Sequence, residues 1–146
     1  MAKKLTLSDI KKSNSKYDEK KRIELDEEVF VDIYPNFKPT KIKELIQEMV
    51  TDTSRAKEVG IDFDSINPSD WGLFNIIAKF ADLGVPTDIK KKVQAFNEIN
   101  EYEYFDKIIN AFPEESVDKV TKALENFTET LVALNNNQIE SNGVIQ

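Results

Sequence analysis

The residues in this chain with the widest chemical reach are its carboxylates. Their spacing is most suggestive in IDFDSINPSD, residues 61–70. Asp62 and Asp64 stand two apart, as the first ligands of a calcium loop do. Ile66 and Asn67, however, occupy the positions where a third oxygen ligand and a turn-forming glycine are needed. The segment reads as an acidic loop ending in a helix cap, and no metal site is expected. Two carboxylates can also act as acid and base, yet among 27 Asp and Glu no pair stands out by spacing. The chain has no cysteine and no histidine, which removes disulfides, thiolate nucleophiles, Cys/His zinc sites and the usual general base near neutral pH. Its four glycines, at 60, 72, 84 and 143, form neither GxGxxG nor GxxxxGK[ST], and GxSxG is absent. Tyr102 and Tyr104 in NEYEYFD are of a type that stacks on bases. Tyr102, though, is helically spaced from Phe105, and Tyr104 sits among acids that repel phosphates, so both read as core or rim packing. No catalytic residue, no cofactor site and no metal site is expected, and binding of another protein is what remains.

The pattern suited to such binding lies near the end of the chain. Val117, Val120, Leu124, Phe127, Leu131 and Leu134 recur in steps of three and four, a heptad seam of between two and three repeats. Val120, Leu124, Phe127, Leu131 and Leu134 are the candidate partner-binding residues, the last three preferred for their place near the terminus. The same seam would serve equally to lay the helix on its own bundle, and the sequence leaves both readings open. A partner would use the helix-in-groove mode and be apolar, with basic or neutral charge.

The elements that must position this seam are mostly helices. Residues 22–34 read as a small β-hairpin, because Ile23 and Leu25, then Val29, Val31 and Ile33, alternate with polar neighbours. The DEE between them lacks the Gly or Asn of the tightest turns, so a loop of about three to five residues is expected. Pro39 opens a helix with Ile42, Leu45, Ile46, Met49 and Val50 on one side, fading near VTDTS or running on to Gly60. SDWGLFNIIAKFADLGVP, residues 69–86, reads as a central core helix capped by Ser69 and Gly84. A further helix starts at Thr87, with Ile89, Val93 and Phe96 inward and Lys90, Lys91 and Lys92 in water. After a break at 97–100 comes a short helix marked by Tyr102, Phe105, Ile109 and Phe112, and Pro113 opens the last one. The fold class is therefore mainly α, a bundle of about five helices with a small N-terminal β-hairpin.

A chain of 146 residues is long enough for one domain with a sizeable core. The expected organisation is a flexible basic arm at 1–21, a single α-rich domain at 22–135 with its helices between 39 and 135, and a flexible tail at 136–146. Residues 1–22 hold eight Lys or Arg against three acids, which leaves twelve against 24 in the remainder. An acidic body repels nucleic-acid phosphates, so no nucleic-acid partner is expected. No apolar run nears the roughly 18 residues of a membrane span, and the lysine-rich start lacks the apolar region of a signal peptide. A cytoplasmic protein without membrane contact is expected.

Three runs, IYPNFKPTKIKELIQEM, DWGLFNIIAKFADLGVPTDIKKKVQAFNEI and YFDKIINAFPEESVDKVTKAL, resemble the tail assembly chaperones of long-tailed phages and prophages of Gram-positive bacteria with AT-rich genomes. The matching features are Phe37 to Ile42, Lys79 to Pro86 and Pro113 to Val120, within roughly residues 30–125. Ala81 and Asp82 depart from the Thr or Ser expected after Phe80. The resemblance implies a non-enzymatic protein that binds the tape measure protein and keeps it soluble while tail-tube subunits polymerise around it, with the major tail protein as a further partner and self-association into a homo-oligomer. It also implies absence from the mature virion. Two other readings stay open: a small acidic adaptor or inhibitor of a host protein, and a structural tail or head-completion protein.

Overall fold

The computed structural model describes residues 2–128. Helix α1 (Leu7–Asn14) leads through a 3-10 turn (Ser15–Asp18) into strands β1 (Lys21–Glu24) and β2 (Phe30–Ile33). Helix α2 (Pro39–Glu58), a second 3-10 turn (Phe63–Ser65), α3 (Pro68–Phe80), α4 (Ile89–Asn100) and α5 (Phe105–Ala111) follow. Helix α6 spans 114–128, to the limit of the described residues. The chain is mainly α with one two-stranded antiparallel hairpin among the described residues, as its patterning implies, and those residues form six helices where about five were expected.

The additional helix is α1, inside the segment expected to be a flexible arm. Its sequence TLSD is a capping box: Thr6 Oγ1 accepts from the Asp9 N–H at 3.2 Å, and Asp9 Oδ2 accepts from the Thr6 N–H at 3.1 Å. Lys3 Nζ lies 3.0 Å from Asp9 Oδ1, and this bond, with those from Thr6, holds the Asp9 carboxyl below its ordinary pKa. Charge composition marked the segment as an arm, whereas the local backbone chemistry makes it helical.

The hairpin pairs Lys21 with Ile33 through Glu24 with Phe30. Asp26 supplies what a turn glycine would otherwise provide, its Oδ1 accepting the N–H groups of Glu28 and Val29, both at 2.8 Å. Two strands alone are marginal in water. Here the free edge of β2 is covered by the residues that follow α3: Tyr34 N–H donates to Phe80 O at 2.8 Å, Asp82 N–H donates to Asp32 O at 2.9 Å, and Ala81 bridges Ile33. Residues 81–82 thus act as a short third strand. That pairing ends α3 at Phe80, four residues before Gly84, which sits in the next loop with φ +68°. At the other end Asn67, not Ser69, caps the helix, accepting from the Ser69 and Asp70 N–H groups, with Pro68 in the first turn. Asp88 rather than Thr87 caps α4, which runs to Asn100 through the expected break.

Two apolar clusters result. The larger joins the inner face of the hairpin (Val31, Ile33) to Leu45, Ile77, Ile108 and Val120, with Phe37 stacked on Phe80 at 3.8 Å between ring centroids and edge-on to Phe112 at 5.4 Å. The smaller is aromatic: Trp71 meets Phe63, Phe74 and Phe96 at 4.9, 5.1 and 5.2 Å. Helix α2 continues past VTDTS to Glu58, so its inward stripe runs Ile42, Leu45, Met49, Asp52, Ala56 and carries a carboxylate into the interior. Lys92, expected in water, answers it. It lies on the inward stripe of α4 with Ile89 and Phe96, its ammonium is buried against the Asp52 carboxylate, and it stands 5.5 Å from the centre of the Trp71 ring.

Removing one member of this pair should destabilise far more than removing both. Lys92→Met is expected to cost about 3–5 kcal/mol by stranding a buried carboxylate, while Lys92→Met with Asp52→Leu should recover most of that loss. Urea unfolding of the two variants beside the wild type measures the difference, and equal losses would contradict it.

A second ion-pair cluster sets a pH dependence. Lys79 Nζ lies 3.1 Å from Glu44 and 2.8 Å from Glu48. Burial alone would lower the Lys79 pKa, but the hydrogen bonds and charges of Glu48 and Glu44 outweigh it and raise the pKa above its ordinary 10.5. Lys79 in turn holds Glu44 below its ordinary 4.5. The carboxylate's contribution is complete above its ordinary value and fades as pH falls through the lowered one. The ammonium's contribution is complete below 10.5 and fades as pH rises through the raised value. Lys79→Met should therefore lower the thermal midpoint at pH 7 and have progressively less effect below about pH 4.

Candidate functional site

Helix α6 lies on the bundle with its first half locked. Ser116 Oγ donates to Pro35 O at 2.7 Å, and Val120 is fully buried in the larger core. The bundle therefore consumes the start of the seam, and Val120 is a core residue. From Leu124 onward the helix stands between two apolar depressions. Leu124 borders both, Phe127 is half-buried beside one, and Leu131 and Leu134 lie outside the described residues.

The first depression, about 450 Å³, runs between α2 and α6. Ile46, Met49 and Val50 form one wall, Leu124 and Phe127 the other, Phe63 and Ile66 close an end, and Trp71 forms the floor; no charged side chain among the described residues lines it. The α2 wall is the stripe adjacent to the inward one, left outside once Asp52 and Ala56 face the interior. Trp71 Nε1 is buried and donates to no acceptor among the described residues, so the floor holds an unmet hydrogen-bond donor. Sequence reasoning picked the α6 side of this groove but missed the α2 side and Trp71. The signal available was the second apolar stripe of α2, Ile46 and Val50, offset from Leu45 and Met49.

The second depression, about 600 Å³, lies between α3 and α6, with Leu73, Ile76, Val120 and Leu124 around Gly72. A Cβ built on Gly72 would meet nothing within 4 Å, and Gly72 has no positive φ. Neither packing nor backbone geometry demands a glycine there, while a mid-helix glycine costs about 0.8–1.0 kcal/mol relative to alanine.

A polar hollow of about 560 Å³ lies on the opposite side of α2, lined by Glu44, Glu48, Asp52, Arg55, Lys79 and Lys92 among others. Lys79 and Lys92 are already neutralised by Glu44, Glu48 and Asp52, so the hollow has a structural role. The acidic loop is likewise structural: Asp62 Oδ1 accepts the Asp64 N–H at 3.1 Å and caps the second 3-10 turn. Among the described residues no three Asp, Glu, His or Cys side chains group as a metal site, and no helix is long and apolar enough to cross a membrane. Tyr104 packs at the rim of the larger core and donates its hydroxyl to Asp26 at 3.1 Å, which raises its pKa, and Tyr102 meets it edge-on at 5.5 Å.

Gly72→Ala should raise stability by up to about 1 kcal/mol in chemical denaturation, since it adds helix propensity without a clash. A loss of stability would show that the position is constrained by packing after all.

Comparison with known proteins places the chain. No solved structure matches it. Over 141 residues it is 43% identical to the SPbeta prophage-derived uncharacterized protein YomO of Bacillus subtilis (strain 168), covering 94% of this chain and 85% of that protein. The family model described as YomO matches residues 7–145, nearly the whole length, and the chain belongs to the YomO family.

Proposed function

We propose that this chain is a non-enzymatic phage tail assembly chaperone that binds helical segments of a tape measure protein and keeps them soluble during tail-tube polymerisation. The observation that carries the reading is the uncharged apolar groove between α2 and α6, open in a body that holds twice as many acids as bases outside its first 22 residues. Such a groove accepts the apolar edge of an amphipathic helix, and the surrounding negative charge keeps the complex dispersed. Each contact is small, so many copies can hold a long client and still be displaced one by one as the tube grows. A prophage-derived relative fits the same setting, as does the resemblance of the chain's helix openings to those of tail assembly chaperones. In this reading the protein acts in the bacterial cytoplasm, binds the tape measure protein first and the major tail protein second, and is left out of the mature virion.

Co-expression with tape measure fragments from the same genome tests the proposal. Wild-type protein should raise their soluble fraction and co-purify with them. Phe127→Asp with Val50→Asp, at the two half-open walls of the groove, should abolish co-purification while leaving the circular dichroism spectrum unchanged. Fragments that stay insoluble and unbound with wild-type protein would refute it, and recovery of the protein in purified virions would favour a structural component instead.

A further inference from the structure

We propose that α1 is an exchange arm, whose apolar edge seats in the α2–α6 groove of a second copy of this chain. Helix α1 is capped at its N-terminus yet buries none of its own residues, and Leu5, Leu7 and Ile10 are 67%, 68% and 40% exposed. A helix of eight residues is marginal in water even with good caps, because the cost of nucleating it is spread over few hydrogen bonds. A surface that covers Leu7 and Ile10, which lie three apart on one face, supplies the stabilisation it lacks.

The groove has the matching chemistry. Its lining is apolar, and the exposed Asp62 and Asp64 flank Phe63 at its closed end. The arm brings Lys3, Lys4, Lys11 and Lys12 alongside its aliphatic edge. Residues 1–22 hold eight bases against three acids, and the rest of the chain holds twelve against 24. Arm and groove therefore attract electrostatically as well as through apolar contact.

The arm does not occupy the groove of its own chain, since Leu7 and Ile10 stay exposed and neither lines it. Its base is held at the hairpin end of the bundle, where Asn36 Nδ2 donates to Lys16 O at 3.5 Å and Tyr17 shares a hollow with Tyr34 and Phe80. Phe80 is the last residue of α3, whereas the groove lies over Pro68 and Trp71 in its first turn. Nine to twelve helical residues separate them, about 14–18 Å along α3. With its base held there and its apolar edge exposed, the arm is placed to meet the groove of a second copy.

An anionic membrane surface is the other partner a basic amphipathic helix suggests, and it fits less well. Two aliphatic side chains on eight residues, with Leu5 just before them, give little insertion, and an acidic body is repelled by the same headgroups that would attract the arm.

This inference does not depend on the identity of the client. The chain contains no cysteine, so single cysteines report contacts cleanly. An Ile10→Cys chain mixed with a Val50→Cys chain should form a disulfide-linked heterodimer under mild oxidation. Light scattering after gel filtration should show wild-type protein self-associating with rising concentration, less so in high salt. Leu7→Ser with Ile10→Ser should shift it to monomer; both positions are exposed, so the body stays folded. A wild type that is monomeric throughout overturns the proposal, as does association that is indifferent to the arm variant with no heterodimer. Arm-dependent co-sedimentation with anionic phosphatidylglycerol vesicles, in the absence of self-association, overturns it too and assigns α1 to a membrane surface.

Discussion

The buried ion pair between Asp52 and Lys92 is the constraint on which the arrangement of the groove depends. Burying two charges is costly, and the cost is met only if each has the other at close range and the geometry is held. The pair therefore fixes the rotation of the second half of α2 about its axis and the distance of α4 from it. With Asp52 and Ala56 turned inward, Ile46 and Val50 must face the other way, toward α6. Trp71 lies near the Lys92 ammonium and also forms the groove floor, so the same residue registers the ion pair and the groove.

The hairpin end of the molecule imposes a second constraint, through the backbone instead of side chains. A two-stranded ribbon has an unpaired edge that invites intermolecular pairing. Here Ala81 and Asp82 close it on one side, which ends α3 and places Phe80 against Phe37. The larger core organised by that stack holds α6 through Val120 and stops short of Phe127. One end of α6 is thus anchored by burial and the next turns are left at the surface, which is how a single heptad seam serves as core at one end and as groove wall further on.

The helical class, the hairpin, Pro39 at the start of α2 and the apolar faces were legible because each rests on local periodicity or on a backbone restriction. What escaped was decided by tertiary contact or by overlooked local chemistry. Lys92 is one of three consecutive lysines, and composition cannot say which faces inward; only the helical spacing from Ile89 to Phe96, together with Asp52 three residues after Met49, marks it. Ala81 and Asp82 carry no strand signal, since their pairing depends on β2 being adjacent. Helix α1 was legible in principle, as TLSD at residues 6–9 is a capping box, but the surrounding lysines made the segment look like a solvated arm. At the candidate site the α6 side was read from the heptad, while the α2 side and Trp71 required knowing which stripe the core had already used.

An open apolar groove poses a problem whatever its occupant, because exposed apolar surface promotes non-specific association. Net negative charge opposes this at long range, but its effect is screened beyond about 10 Å at 0.1 M salt and does not protect the groove at contact distance. A basic amphipathic arm carried on every copy is a physically suitable cover. It is present at the same concentration as the groove, it is attracted to the acidic body, and its few aliphatic contacts keep it weaker than a long client helix that engages many grooves at once. If the groove is the client site, arm and client compete for it, and multivalency favours the client. The order of events then follows from affinity alone: copies shield one another when no client is present and transfer to a client when one appears, with no further energy source needed.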